Sequence, residues 1–401
     1  MLNFMFYTVV TLTYLVMYLT NWRLFNFFGI RGQVYMDLLT IGSYTDCLRN
    51  FNDLPNLFNS GTCWKGYNYG PTAVLLLKGL SLIGVNLYYF GHLLVLSTLF
   101  ILVMISRKFG SDDFIGRAFQ IMLIVSPGIL LLMERANFDL IIFLLLVIIL
   151  AMEEKKMMWP RIFAMIFITL MKFYTFPAFI FLVWQSRLSS TKKAIVVAAV
   201  AAVVFIFAFP VSGQVPYFWF LSYGSSIFFI YLDYFLNEFG DSLRISLEGR
   251  ILLGGIMFAI VANFLYRFST PFREIVKSFN LQRKYIKDSK IGKMSSTLSL
   301  IFLSTFFLAT NFDYRFIFAV VPLILCDKAL FTEQQSNLRR IFFFVTFLAF
   351  FVGSAYGGPR YILQGIQILG DSALLIIIAA ILMSTFSSLT EQKAYRYLLR
   401  K

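Results

Sequence analysis

One histidine, three cysteines and only 14% charged residues in a chain of 401 set the first limits on its chemistry. With His92 alone and no metal-type His/Cys spacing, a histidine-built metal centre is excluded. A Ser–His–Asp hydrolase would depend on His92, which lies in "YYFGHLLVL" inside an apolar run. There an imidazole reads as a packed or hydrogen-bonded group facing another helix. No Gly-rich loop leads into Lys-Ser/Thr, so a P-loop is excluded as well. Soluble domains average ~25% charged residues. The shortfall leaves no room for a sizeable soluble domain. A nucleic-acid surface needs contiguous basic residues on such a domain, so the net charge of +15 has another origin.

What the chain has is hydrocarbon. Hydrophobic residues make up 59%, and Phe (48) and Tyr (21) are used heavily, as suits lipid-facing and interfacial positions. Apolar runs cover residues 5–19, 87–105, 118–133, 138–152, 157–171, 173–184, 195–211, 251–266, 298–310, 316–326, 341–356 and 373–386. Several fall short of the ~20 residues a full crossing needs, so their flanks must contribute. The first run lacks a small-residue cleavage site and reads as a retained span. The expected fold is all-α and polytopic, one integral-membrane domain over 1–401 with about twelve spans. Its larger polar segments are outer loops at about 30–86 and 212–250 and a basic cytoplasmic loop at about 267–294.

Charge sets the orientation. With the N-terminus in the cytoplasm, the inner loops are 107–117, 153–161, 187–193, 267–293, 327–340 and the tail from Glu391. They hold 24 of the 35 Lys and Arg against 9 acids, and the outer segments balance. This is the positive-inside pattern. The inner loops read as solvated basic connectors. On the outer side fall Asp37, Asp46, "YNYGP" (67–71), "ERANFD" (134–139), "MKFYTF" (171–176), "NFDYR" (311–315) and "GGPR" (357–360). Polar clusters from distant sequence on one face suggest a shared site.

Residues 36–51 carry Leu38, Ile41, Tyr44, Leu48 and Phe51 at helical spacing, with Asp46, Arg49 and Asp53 opposite. The spacing predicts a helix lying in the membrane interface. Residues 71–85, with Lys78 in the middle, read as a second interfacial or re-entrant piece. Asp37 can cap the first of these helices. It can also act as a general base, since partial withdrawal from water raises a carboxylate toward the working pH. Asp46 is a contact for acceptor hydroxyls or a solvated polar-face residue. Arg135, Lys172, Arg315 and Arg360 stand at the outer ends of four separate spans. Each can snorkel to headgroups or pair with Glu134, Asp139 or Asp313. As a set they suit an anionic group such as a lipid phosphate, which arginine grips with two parallel hydrogen bonds. Asn137 and Tyr314 can cap helix ends, anchor at the interface or hydrogen-bond a sugar. Lys172 breaks an apolar stretch ahead of Pro177, so it is expected to point into a cavity. Cys47 and Cys63 share the first outer loop, where an oxidising compartment would let them form a disulfide, whereas Cys326 should stay a thiol.

The order of these elements resembles the GT-C superfamily of membrane glycosyltransferases over roughly the whole chain. An acid after the first span (Asp37), an interfacial helix (36–52) and a Y-x-Y-x-P element ("YNYGP") come first. The R-x-N-F-D-L opening of the fourth span, the K-x-Y break at Lys172 and Tyr174, and "NFDYR" are similar to the polyprenyl-phosphate-sugar-using branch. That branch includes the phosphatidylinositol mannosyltransferases and family 87 proteins. The resemblance implies a GT-C-like bundle with outer-face interfacial helices. It also implies an inverting transfer of a mannose-like hexose from a polyprenyl phosphate to a hydroxyl of a lipid or glycan acceptor. Asp37 would be the base. Asp46, Arg135, Asn137, Lys172, Tyr174, Asp313, Tyr314, Arg315 and Arg360 would bind substrate. No D-x-D stands at Asp37, so neither metal nor other cofactor is implied. The chain departs from many relatives in having Gly70-Pro71 where they show Y-P-P, and in lacking a histidine in a late outer loop. The expected partners are the lipid-linked donor, the acceptor and membrane lipids, with no nucleic acid. The expected place is a bacterial plasma membrane with both termini cytoplasmic and the active site outside. An O-antigen-type polymerase would carry a larger, arginine-rich outer loop than 212–250. A flippase for lipid-linked saccharides would show mid-span charge and two similar halves.

Overall fold

The structure is a computed structural model that describes residues 2–20, 71–152, 157–186, 188–208, 222–223, 290–307, 311–332, 334–351 and 369–382, and part of 252–274. The described residues are almost wholly helical. The helices are α1 (Leu2–Leu19), α2 (Pro71–Leu82), α3 (Leu87–Phe109), α4 (Phe114–Ile124), α5 (Pro127–Arg135), α6 (Phe138–Ala151), α7 (Met158–Met171), α8 (Phe176–Gln185), α9 (Ser190–Ala208), α10 (Lys290–Phe307), α11 (Ile317–Thr332), α12 (Ser336–Phe351) and α13 (Leu369–Leu382). One short antiparallel ladder joins β1 (Ser222–Tyr223) to β2 (Asn311–Phe312), with Ser222 opposite Phe312. In 252–274 the described residues are helical, and Leu252, Ile256, Ile260 and Phe264 form an exposed stripe at one residue per turn.

Among the described helices, α1 and α3 are long and apolar enough to cross a membrane, and α4 with α5 qualifies if the bent pair is one span. Helices of this length and composition are consistent with a membrane protein. The run at 118–133 is expected to be one span, yet it breaks into α4 and α5 with a 41° bend. Pro127 is the cause. It has no N–H to donate and its ring would clash with the carbonyl four residues back, so it opens a new helix. Val125 caps α4 by donating to the Ile121 carbonyl, and the Ser126 hydroxyl donates to the Leu123 carbonyl, 2.9 Å. Helix α6 has 14 residues and so spans about 21 Å, short of the ~30 Å hydrocarbon layer.

The chain forms two compact units. The first comprises 1–30, 102–130 and 217–401. In it α1 buries Phe6, Val10, Tyr14 and Met17, a stripe at helical spacing, and packs on α4. The Tyr14 hydroxyl donates to the Ile124 carbonyl, 3.2 Å. Helix α11 packs on α10, α12 and α4, and Cys326 is there a buried free thiol. Gly370 lets α13 approach α12 closely: a Cβ there would lie 2.9 Å from the Ala349 backbone nitrogen. The second unit comprises 31–101 and 131–216. Its centre is α7, which touches α2, α6, α8 and α9. The Thr72 hydroxyl ties α2 to α7 through the Phe167 carbonyl, 3.2 Å.

The loops read as solvated basic connectors turn out otherwise in the first unit. Arg339, at the start of α12, is 4% exposed. Its guanidinium forks onto Asp113 (2.6 and 2.7 Å) and also donates to Asp327 (2.5 and 3.0 Å). Arg117, also buried, pairs with Asp112 and donates to Gln120 (2.7 Å) and the Ser106 carbonyl (3.2 Å). The reason is local and tertiary at once. Asp113 is the N-cap of α4, accepting from the Gly116 N–H, and that fixes its carboxylate where Arg339 arrives from 226 residues away.

Burial alone would push the Asp113 carboxyl up, but the Arg339 hydrogen bonds and charge outweigh it and hold the group below its ordinary value. A carboxyl lowered on folding stabilises fully above its unfolded value of ~3.9 and loses that contribution as pH falls through its folded value. Unfolding of the wild type in detergent is therefore expected to steepen with acid below about pH 4, and Asp113→Asn to flatten that dependence. Parallel slopes for the two proteins between pH 5 and 2 would refute this.

Candidate functional site

Two polar elements of the sequence meet in the second unit. Helix α5 ends in Glu134-Arg135, and the chain then reverses at Ala136, whose φ of 43° is left-handed. The Ala136 N–H donates to the Met133 carbonyl and the Asn137 N–H to the Leu132 carbonyl, the paired bonds of a Schellman close. Glycine is usual at that place, so alanine there holds backbone strain of about 1–2 kcal/mol. Asn137 then caps α6, its side chain accepting from the Asp139 N–H at 3.0 Å. Asp139 sits in the first turn of α6, where the helix dipole favours a negative charge.

The partner element comes from the other end of the α6–α7 pair. Helix α7 stops at Met171 and Lys172 turns extended as its C-cap, where a cation is favoured. A 3-10 turn (Phe173–Thr175) follows, stapled by the Thr175 hydroxyl on the Lys172 carbonyl, 2.9 Å. Pro177 then lies in the first turn of α8, where its missing N–H costs nothing.

These two turns bring four side chains together. Lys172 Nζ lies 2.9 Å from Asp139 Oδ1 and donates to Asn137 Oδ1 at 3.4 Å. The Tyr174 hydroxyl donates to the same Asp139 oxygen, 2.5 Å, and its ring lies under Lys172 Nζ, 5.7 Å to the centroid. Lys172 is 2% exposed, and Asp139 and Asn137 are fully buried. Where a cavity was expected around Lys172, the side chain thus meets a buried carboxylate. Such an ion pair is held only because each charge has hydrogen bonds besides its partner. The arrangement can fix the ends of α6 and α7 in one register. It can also present a pair of net charge zero, biased by two helix dipoles.

The other expected site residues lie elsewhere. Arg135 is half-buried at the end of α5. In the first unit Arg315 is 4% exposed in the 3-10 turn Asp313–Phe316 that follows β2. Asp313 and Tyr314 lie in the same turn, and the β1–β2 ladder joins "NFDYR" to the loop at 212–250, two segments that the charge pattern assigns to one side. Asp37, Asp46, Arg360, Cys47 and Cys63, with the interfacial helix and residues 67–70 of "YNYGP", lie outside the described residues, whereas its Pro71 opens α2. His92 is packed edge-on against Tyr88 of its own helix α3, ring centroids 4.7 Å apart, where a partner on another helix was expected. Among the described residues no His, Cys, Asp and Glu side chains group as a metal site.

Sequence reasoning missed Asp113, Asp327, Arg339 and Arg117. A capping aspartate before an apolar run was a readable signal for Asp113, whereas nothing local marked its partner. No family model, curated protein or solved structure matches this chain.

Proposed function

We propose that the chain is a multi-pass membrane glycosyltransferase that moves a mannose-like hexose, with inversion, from a polyprenyl phosphate to a hydroxyl of a lipid or glycan acceptor. One observation carries this reading. The R-x-N-F-D and K-x-Y elements, two of those on which the resemblance rests, join through Asn137, Asp139, Lys172 and Tyr174 into one buried cluster. Strained backbone at Ala136 beside that cluster is what a positioning site tolerates.

In this reading Asp37 takes the proton of the acceptor hydroxyl. The freed oxygen attacks the anomeric carbon. The carbon–oxygen bond to the phosphate breaks, and its electron pair leaves with the phosphate. A phosphate leaves well without a strong acid and is helped instead by fixed positive charge. Arg135 would offer that charge, and the Lys172–Asp139 pair would hold the helix ends around it. Arg315 and Arg360 keep the anion-binding role that the resemblance gives them. The site faces the outer side of a bacterial plasma membrane.

The test supplies radiolabelled polyprenyl-phosphate hexoses to membranes from a host expressing the chain, against membranes from the empty host. Label entering lipid or glycan only with the chain present supports the proposal. No transfer from any donor moves the reading to a polymerase or a flippase.

A further inference from the structure

A second site lies at the other end of the α7–α8 pair. Met158, Arg161, Ile162, Leu182, Gln185 and Ser186 line a narrow cleft, open on one side. Lys172, the C-cap of α7, stands eleven residues beyond Arg161, about 16 Å along the axis. The cleft is therefore distinct from the Lys172–Asp139 cluster, and its occupant does not depend on whether the chain transfers sugar.

The cleft is built to receive an acceptor of hydrogen bonds. Gln185 Nε2 is buried there and has no hydrogen-bond partner. A buried donor left unsatisfied costs about 1–3 kcal/mol, so it calls for an occupant. Arg161, 6% exposed, puts a guanidinium on the same wall. The Ser186 hydroxyl is already committed to the Val183 carbonyl, 2.6 Å. Lys193 adds a second cation at this end, its ammonium donating to the Trp184 carbonyl at 2.8 Å. Among the described residues no Asp or Glu lines the cleft. An anion is thus matched to it and a cation is not.

The surroundings say where the anion comes from. Trp159, Phe163 and Trp184 are 46%, 63% and 65% exposed around this end. Exposed tryptophans at a helix end sit at headgroup depth in a membrane. Met158, Ile162 and Leu182 make the remaining wall apolar, which suits acyl chain and glycerol better than a sugar.

We propose that this cleft binds the phosphodiester headgroup of an anionic membrane lipid. One phosphoryl oxygen accepts from Gln185 Nε2 and the Arg161 guanidinium, and the chains run out past Trp159 and Trp184. The test is native mass spectrometry and thermal unfolding of the full chain taken from vesicles of equal phosphatidylglycerol and phosphatidylcholine. Both lipids offer the phosphodiester, but the choline ammonium of phosphatidylcholine sets a cation against Arg161 and Lys193, so the wild type should retain phosphatidylglycerol over phosphatidylcholine by about tenfold. Gln185→Glu, nearly isosteric, sets a negative charge against the phosphate and should abolish the preference while the protein stays monodisperse. Arg161→Gln should reduce it, and if that variant fails to fold, Gln185→Glu carries the test. Equal retention of the two lipids by the wild type, or an unchanged preference in Gln185→Glu, overturns the proposal. Millimolar inorganic phosphate raising the unfolding temperature as much as phosphatidylglycerol does would assign the cleft to a soluble anion and overturn the lipid.

Discussion

Asp37→Asn is expected to lower sugar transfer by about 10²–10⁴-fold, the range that one positioned general base contributes. The substitution keeps the shape of the side chain and removes only its capacity to hold a proton. It also separates the two roles open to Asp37. Asparagine caps a helix about as well as aspartate, so a residue that merely starts the interfacial helix would tolerate the exchange. Asp37→Ala removes both functions and should add about 1 kcal/mol of lost stability to the same loss of rate. The comparison is made on label transfer in membranes, with detergent gel filtration reporting the fold. Undiminished transfer by a well-folded Asp37→Asn would take the base away from Asp37 and leave Asp46 as the carboxylate to try next.

Legibility in the sequence followed the length of the physical pattern. Helices α1 and α3 were plain because long apolar runs have no soluble alternative. The ends of α6 and α7 were also plain, since Asn137 is a capping residue and Lys172 interrupts hydrocarbon. The break at Pro127 was readable in principle, because proline cannot continue a helix, but hydropathy runs straight through it. The partner of each charge was not readable. Lys172 could have faced solvent, a ligand or any of several acids, and only packing of α6 on α7 selected Asp139. Arg339 was harder still. Its two carboxylates stand 12 and 226 residues away, in segments whose composition suggested nothing but water. Counting charge per loop says nothing of burial, because a neutralised ion pair and a solvated one count alike.

The Lys172–Asp139 pair sets up the largest expected loss of stability. Lys172→Met is expected to cost about 3–5 kcal/mol, because it strands a fully buried carboxylate. Asp139→Leu should cost a similar amount, since it strands the ammonium and also takes the acceptor from the Tyr174 hydroxyl. The double variant should recover much of the loss, as a buried ion pair replaced by apolar groups of like volume is often neutral. It should not recover all, because the Tyr174 hydroxyl would remain without Asp139, at about 1–3 kcal/mol. Adding Tyr174→Phe should remove that remainder. Unfolding in detergent of the two single variants, the double and the triple yields the coupling directly. Strong coupling makes Lys172 a positioning residue whose charge is used on Asp139. Its transfer defect should then follow the loss of fold and be relieved in the double variant. Coupling near zero, with transfer lost in a Lys172→Met protein of wild-type stability, would show instead that the ammonium acts on the donor phosphate, and the pair would no longer be what holds α6 to α7.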